Sequence, residues 1–300
     1  MQILNDFILN NNKSSVITIG NFDGLHRGHK KLVSTTKKLA LKNNFNSIVV
    51  TFQAHPIQVL KNKEFSYILS QNEKFNEFES QDVDFFINYN FNKDFANTSP
   101  HDFIDILKEN LRCKILVVGE DYCFGKNRSG NVELLEKICL EKNIEFIKIS
   151  NIIVNNKKIS SSCIRELLSK GDIKNANLLL DKPYYITGDV CEGNKLGRTI
   201  GFPTANIIPK SQKLLPKEGV YITQTVIEDE VFESITNIGR NPSINTEGMN
   251  NLTIETFIFN FNHDIYSTQI KVLFIDWIRG VKKFGSLDEL KDQISNDQSL

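Results

Sequence analysis

Five short runs, "SVITI" (15–19), "SIVVTF" (47–52), "VDFFINY" (83–89), "KILVVG" (114–119) and "IEFIKI" (144–149), are apolar or β-branched with little interruption. A strand with one wet face alternates apolar and polar residues. Runs without that alternation predict strands covered on both faces, as in a parallel sheet. Helical signals lie between them: "SQNE" at Ser70 and "SPHD" at Ser99 are helix starts, the second with Pro100 in the first helical position. Strand and helix in alternation predict an open α/β sheet with ligands at the carboxyl ends of its strands.

The pattern changes after "LLLDKPYY". From Tyr184 onward, "YYITGDV", "GVYITQTVIE", "FESITNIG", "LTIETFIFNF" and "YSTQIKVLFIDWI" follow with turn glycines and no helical stretch until "SLDELKDQI". There Ser286 and Glu289 have capping-box spacing, and Leu287, Leu290 and Ile294 make one apolar stripe. Short consecutive strands followed by a closing helix predict a small antiparallel β-barrel. The boundary falls near Lys182-Pro183, which divides the 300 residues into domains 1–182 and 183–300.

Lys+Arg and Asp+Glu number 36 each, for a formal net charge of zero. That balance argues against a broad nucleic-acid or membrane-binding surface and leaves room for a local phosphate pocket. The opening "MQILNDFILNNNKSS" lacks the basic region and long apolar run of a secretory signal. No stretch approaches the roughly 20 apolar residues of a membrane span. Five cysteines without a CxxC pair read as reduced thiols of a cytoplasmic protein.

In "GNFDGLHRGH", His26 and His29 are three apart and share one face if a helix begins near Arg27. Gly20 ends the strand ahead of them, and Gly28 lets a helix backbone approach a ligand. A zinc pair fits poorly, because the positive end of a helix dipole attracts anions and repels cations, and no third ligand stands nearby. The pair reads as a phosphate site, with helix N–H groups and two imidazoles around a polyphosphate. Capping histidines without chemistry are the other reading. Further on, Ser160, Ser161 and Ser162 precede Ile164, Leu167 and Leu168, which places them at a helix start with free N–H groups. Arg165, in that first turn, is poorly placed for the dipole unless an anion offsets it, and Lys170-Gly171 closes the helix. This start reads as a second phosphate clamp or as simple capping.

"EGNKLGRTIGFPTANI" has glycines at 193, 197 and 201 yet is no P-loop, being a residue short and carrying Arg198 where lysine belongs. Thr204 and Asn206 project to one side of an extended segment, two neutral oxygens of the kind Mg2+ prefers beside nucleotide phosphates. A proline turn leading into a strand is the alternative. In "LTIETFIFNF", Glu255 faces the same way as Phe257, Phe259 and Phe261. Desolvation raises the pKa of a carboxylate on such a face, which suits a base near neutral pH. A buried structural glutamate, satisfied by hydrogen bonds, is the alternative.

"GNFDGLHRGH" resembles the G-x-FDG-x-H-x-GH signature of prokaryotic FAD synthetases within the nucleotidyltransferase superfamily, and the similarity runs over nearly the whole chain. "FQAHP" resembles the family's F-x-PHP, with Ala54 for the usual proline. "VGEDYCFGKNRSGN" is similar to its flavin- and nucleotide-holding loop, and "ISSSCIRELLSKGDIKNANLLLDKPYYITGDV" to its joining segment, with Cys163 where threonine is usual. "GRTIGFPTAN" resembles the flavokinase PTAN motif and "NIGRNPSI" the N-I-G-x-x-PT loop, with Ser243 for threonine. "WIRGVKKFGSLDELKDQISND" is similar to the closing segment.

The resemblance implies a Rossmann-like nucleotidyltransferase domain with an open parallel sheet, then a flavokinase-type antiparallel barrel closed by a helix. It implies a bifunctional enzyme that phosphorylates riboflavin to FMN with Mg-ATP, then transfers AMP from ATP to FMN, giving FAD and pyrophosphate. Glu255 would be the kinase base, and His26 and His29 would hold the ATP triphosphate. Gly20, Asn21, Phe22, Asp23, Gly28, Gly119, Asp121, Phe124, Arg128, Ser161, Ser162 and Arg165 would surround flavin and nucleotide in the first domain. Gly193, Gly197, Arg198, Gly201 and Arg279 would do so in the second, where Thr204 and Asn206 would also hold Mg2+. The expected partners are these small molecules, with the chain a monomer or weak homo-oligomer. A nucleotidyltransferase with another acceptor would share "HRGH" but has no reason to carry "FPTAN" and Glu255.

Overall fold

The computed structural model describes residues 1–125, 129–154, 157–192, 203–209, 212–240, 252–282, 289, 292–293 and 296–297. Arg128, Gly193, Gly197, Arg198, Gly201 and Ser243, together with Ser286, Leu287, Leu290 and Ile294, lie outside the described residues. The chain divides into two compact units, Met1–Ser161 and Ser162–Leu300.

In the first unit six strands form one sheet: β1 (Gln2–Leu4), β2 (Ser15–Ile19), β3 (Asn46–Phe52), β4 (Phe85–Tyr89), β5 (Cys113–Gly119) and β6 (Glu145–Ile149). Their order is β1-β4-β3-β2-β5-β6, and every pairing is parallel. Five of these strands are the apolar runs. Every residue of β2 is buried, as are all of β3 up to Thr51, so neither face could tolerate alternation. Strand β1 lies at the sheet edge, with two of its three residues exposed, too short to leave a pattern. A small hairpin of β7 (Ile153–Val154) and β8 (Lys157–Lys158) follows.

Six helices connect these strands: α1 (Arg27–Asn43), α2 (Pro56–Lys61), α3 (Gln71–Glu79), α4 (Lys93–Ala96), α5 (Pro100–Asn110) and α6 (Val132–Glu141). Helix α3 opens on a complete capping box between Ser70 and Glu73, and α5 on the Ser99 hydroxyl with Pro100 behind it. Helix α1 packs on β2, β3 and β5, α5 on β5, and α6 on β6. The resulting core holds Ile17, Val50, Leu107, Leu116 and Leu135 fully buried. Each such side chain contributes roughly 1.5–3 kcal/mol. Because β3 lies on one side of β2 and β5 on the other, the carboxyl ends of β2 and β5 part at a topological switch point. Open α/β sheets bind ligands in that crevice.

Helices α7 (Ser161–Lys170) and α8 (Ile173–Leu180) lead into β9 (Tyr184–Cys191), β10 (Thr204–Pro209), β11 (Gly219–Ile227), β12 (Glu230–Arg240), β13 (Leu252–Ile258) and β14 (Gln269–Arg279). These six strands close into an antiparallel barrel in the order β10-β13-β12-β11-β14-β9. Part of its interior is a chain of buried hydroxyls. Thr223 bonds Ser234 at 2.8 Å and Thr236 at 2.9 Å, Thr225 bonds Ser234 at 2.9 Å, and Thr236 bonds Thr256 at 2.9 Å. Each hydroxyl satisfies its neighbour, which removes the cost of burying it. Helix α8 packs on β9 and β14, where Asn177 donates to the Phe274 carbonyl at 2.8 Å and accepts the Tyr184 N–H at 2.6 Å. Among the described residues of the expected closing helix, Glu289, Asp292, Gln293, Asn296 and Asp297 are helical.

Candidate active sites

The loop between β2 and α1 stands at the switch point. His26 is the N-cap of α1: its Nδ1 accepts the His29 backbone N–H at 3.3 Å. The capping reading therefore describes His26 but leaves His29 unexplained. The His29 ring stacks on that of His26 with centroids 3.6 Å apart and stands edge-on to Phe22 at 5.2 Å. Phe22 is fully buried and rests in turn on Phe78. The Nδ1 of His29 is buried without a hydrogen-bond partner among the described residues. At Gly28 an added Cβ would lie 3.1 Å from His26 Cε1, so the missing side chain makes room for the imidazole.

Burial pulls the His26 pKa down from 6.5 to about 4. Burial first, then the neighbouring His26 and Lys74, hold His29 well below the usual histidine range. Both rings are neutral at pH 7. The unfolded chain binds the His26 proton more readily, so the contribution of this ring to stability is full above pH 6.5 and is lost as pH drops from about 6.5 toward 4. Thermal melting across that window should show the loss, and His26→Gln should reduce it, leaving the part that the buried His29 contributes. A melting temperature independent of pH there would contradict the buried, neutral ring.

The neighbouring residues fix this loop. Asp23 is buried; its Oδ1 accepts the N–H groups of Ile68 at 2.9 Å and Leu69 at 3.2 Å, and its carbonyl accepts the Ser161 hydroxyl at 2.8 Å. Asn21 Nδ2 lies 3.1 Å from His55 Nε2, and His55 stacks on Phe65 at 4.0 Å. Gly20 sits against the Phe22 ring, 3.3 Å from where a Cβ would stand. Across the switch point Gly119 ends β5, and a Cβ there would meet nothing within 4 Å, so the backbone lies open. Asp121 pairs with Lys158 and accepts from Asn151 at 2.9 Å. Phe124 is a core residue packed on Phe103 and Tyr122. Ser162 and Arg165 fall in the first turns of α7.

Gly20, Asn21, Phe22, Asp23 and His26 thus lie in the β2–α1 loop, Gly28 and His29 in the first turn of α1, and Ser161 is bonded to Asp23, while Gly119 ends β5 and Asp121 follows it. Site selection from sequence passed over His55, although "FQAHP" carried it, and Lys74, which no motif marks.

In the barrel, strand register assembles a second site. Asn206 on β10 and Asn237 on β12 both lie opposite Glu255 on β13, and Thr204 lies opposite Phe257. All five are half-buried, while the intervening Ala205, Ile254 and Thr256 are buried. Thr204, Asn206 and Glu255 therefore share one face, in one continuous row with Asn237. Burial raises the Glu255 pKa, as its aromatic neighbours predict. A cavity of about 420 Å³ adjoins Thr204 and Asn206, lined also by Pro203, Phe261, His263 and Tyr266. Arg279 is clamped by the buried Asp297, with Nη2 to Oδ2 at 2.6 Å and Nε to Oδ1 at 3.1 Å.

Residues 8–163 match the FAD synthetase family and residues 180–300 the riboflavin kinase family. A bifunctional riboflavin kinase/FMN adenylyltransferase from Buchnera aphidicola subsp. Acyrthosiphon pisum is 40% identical over 289 residues, 95% of this chain and 92% of that protein. One from Bacillus subtilis is 36% identical over 286 residues, 95% and 90% of the two chains. A crystal structure described as a macrolide-efflux protein from Streptococcus pneumoniae is 30% identical with a TM-score of 0.90, over 99% of this chain and 97% of that one. Among the described residues no helix is long and apolar enough to cross a membrane. By both family matches and by identity along nearly its full length, the chain belongs to the bifunctional riboflavin kinase/FMN adenylyltransferase family.

Proposed function

We propose that this chain makes FAD in two steps, with residues 183–300 phosphorylating riboflavin and residues 1–182 adenylylating FMN. The observation that carries the reading is the face shared by Thr204, Asn206 and Glu255, which sets a base of raised pKa beside two oxygen ligands that themselves line a cavity of about 420 Å³. Glu255 takes the proton of riboflavin's terminal ribityl hydroxyl, that oxygen attacks the γ-phosphorus of ATP, and ADP leaves. The cavity beside Thr204 takes the adenosine end of the nucleotide. Thr204 Oγ1 and Asn206 Oδ1 are hard neutral oxygens on one half-buried face, a donor set that fits Mg2+. Bound there, Mg2+ neutralises charge on the ATP phosphates.

In the first unit ATP lies with its triphosphate at the amino end of α1, where the N–H groups and the two neutral imidazoles donate to it. A phosphate oxygen of FMN attacks the α-phosphorus, the bond to the β-phosphate bridging oxygen breaks, and pyrophosphate leaves. The β2–α1 loop, Gly119, Asp121 and Ser161 bind flavin and nucleotide, as does Arg128; the 193–201 glycines, Arg198 and Arg279 do so in the second domain. Both reactions depend on positioning and charge stabilisation. Zero net charge and five free cysteines support a cytoplasmic enzyme of small-molecule substrates that binds no nucleic acid, as a monomer or weak homo-oligomer.

A fragment beginning at Ser162 is expected to fold and to convert riboflavin and Mg-ATP to FMN. One beginning at Lys182 lacks Ile173, Ala176, Leu179 and Leu180, all buried, and should melt at a much lower temperature. Folded 162–300 protein without kinase activity would refute the assignment.

A further inference from the structure

Helix α3 carries a charge where charges are expensive. Lys74 is 3% exposed, and its Nζ donates to the Phe52 carbonyl at 3.1 Å and to Thr51 Oγ1 at 3.4 Å, at the carboxyl end of β3. Burial pulls this ammonium down to about 8, opposed by the carboxylate of Asp23, so the group stays charged at pH 7. Taking an ammonium out of water costs free energy that its hydrogen bonds and a nearby carboxylate offset only in part, so a buried charge is weak evidence of a stabilising role.

Its surroundings give a different reason for a lysine here. Thr51 Oγ1 donates onward to the Asn21 carbonyl at 3.2 Å, placing the ammonium one hydroxyl from the loop that ends in His26. One turn along α3, Phe78 backs Phe22, against which His29 stands edge-on. A fixed cation in a low-dielectric setting behind a polyanion site costs no reorganisation when charge develops there.

We propose that Lys74 is a positioning residue for adenylyl transfer, its ammonium bracing the 20–26 loop through Thr51 and Asn21 and supplying fixed positive charge behind the histidine pair. The inference rests on the reading of His26 and His29 as the triphosphate site. The titratable groups that act on Lys74 and His29 are Asp23, from the β2–α1 loop, and His26, from the start of α1.

Lys74→Met in the full chain tests it. The kcat for FAD formation from FMN should fall about tenfold to a hundredfold, with riboflavin phosphorylation unchanged in the same preparation. The His29 ring, followed by NMR of histidine-labelled protein, should titrate at higher pH than in the wild type. Thr51→Val cuts the brace and keeps the charge, so it should lower kcat without moving that titration. Wild-type FAD formation by Lys74→Met overturns the proposal. So does a lowered kcat with the His29 titration unmoved, the mark of a merely structural lysine. If Lys74→Met does not fold, Lys74→Gln carries the same readouts, and if neither folds Lys74 is structural and the proposal fails. Failure of the phosphate-site reading looks different: His29→Ala would then make FAD normally while Lys74→Met still moved the titration.

Discussion

Replacing Glu255 by glutamine is expected to lower riboflavin phosphorylation by about 10²–10⁴-fold and to leave adenylylation of FMN at the wild-type rate. Glutamine preserves the shape and hydrogen-bonding reach of the side chain but cannot accept the ribityl proton. The KM for ATP should change little, because Thr204 and Asn206 on the neighbouring strand are untouched. Burial raises the Glu255 pKa, so the carboxylate is the disfavoured form in the folded chain. The charge therefore costs stability at neutral pH, and the cost disappears as pH falls through the folded pKa. Removing the charge should then leave the melting temperature equal or slightly higher. A structural glutamate predicts the reverse, a lower melting temperature with near-normal turnover. The kinase rate of the wild type should also decline on the acid side at a higher pH than an ordinary carboxylate of about 4.3 would give. Normal turnover of Glu255→Gln would remove this residue from the mechanism.

The residues show where sequence reasoning had purchase. Strands β2, β3 and β5 were legible because burial on both faces leaves an almost unbroken apolar run, and α3 and α5 because caps act through local spacing; β6 kept an apolar run although it lies at the sheet edge with no buried residue, against the expectation of two covered faces. The face shared by Thr204, Asn206 and Glu255 was legible in halves: alternation gives the side of each strand, but only register shows that the halves adjoin and that Asn237 completes the row. Lys74 was invisible. A lysine between Glu73 and Phe75 reads as solvated helix surface, and only the tertiary placement of α3 against the end of β3 buries it. At Gly28 the sequence shows the freedom of the backbone but not that a side chain there would crowd the ring of His26, a contact that no spacing rule encodes.

His29→Ala is expected to reduce FAD formation from FMN by about 10²–10³-fold while FMN formation from riboflavin continues. The histidine pair allows an unusually clean substitution. His26 caps α1 through its Nδ1 and the backbone N–H of residue 29, and alanine keeps that N–H, so the helix start survives. What disappears is the second imidazole, a neutral ring stacked at 3.6 Å on the first. Its Nδ1 is buried without a partner among the described residues, so its loss breaks no protein hydrogen bond at that atom. The expected loss is therefore one of transition-state stabilisation: the amino end of α1 remains, but a preorganised donor to the triphosphate is gone. His26→Ala would be ambiguous by comparison, since losing a cap costs about 0.5–2 kcal/mol of stability on its own. Supplied with riboflavin and Mg-ATP, the His29→Ala enzyme should accumulate FMN, and separating flavins by chromatography over time gives both rates in one experiment. FAD appearing at the wild-type rate would take His29 out of adenylyl transfer. Loss of both FMN and FAD would show that the substitution reaches beyond the first unit, against the assignment of the two reactions to separate parts of the chain.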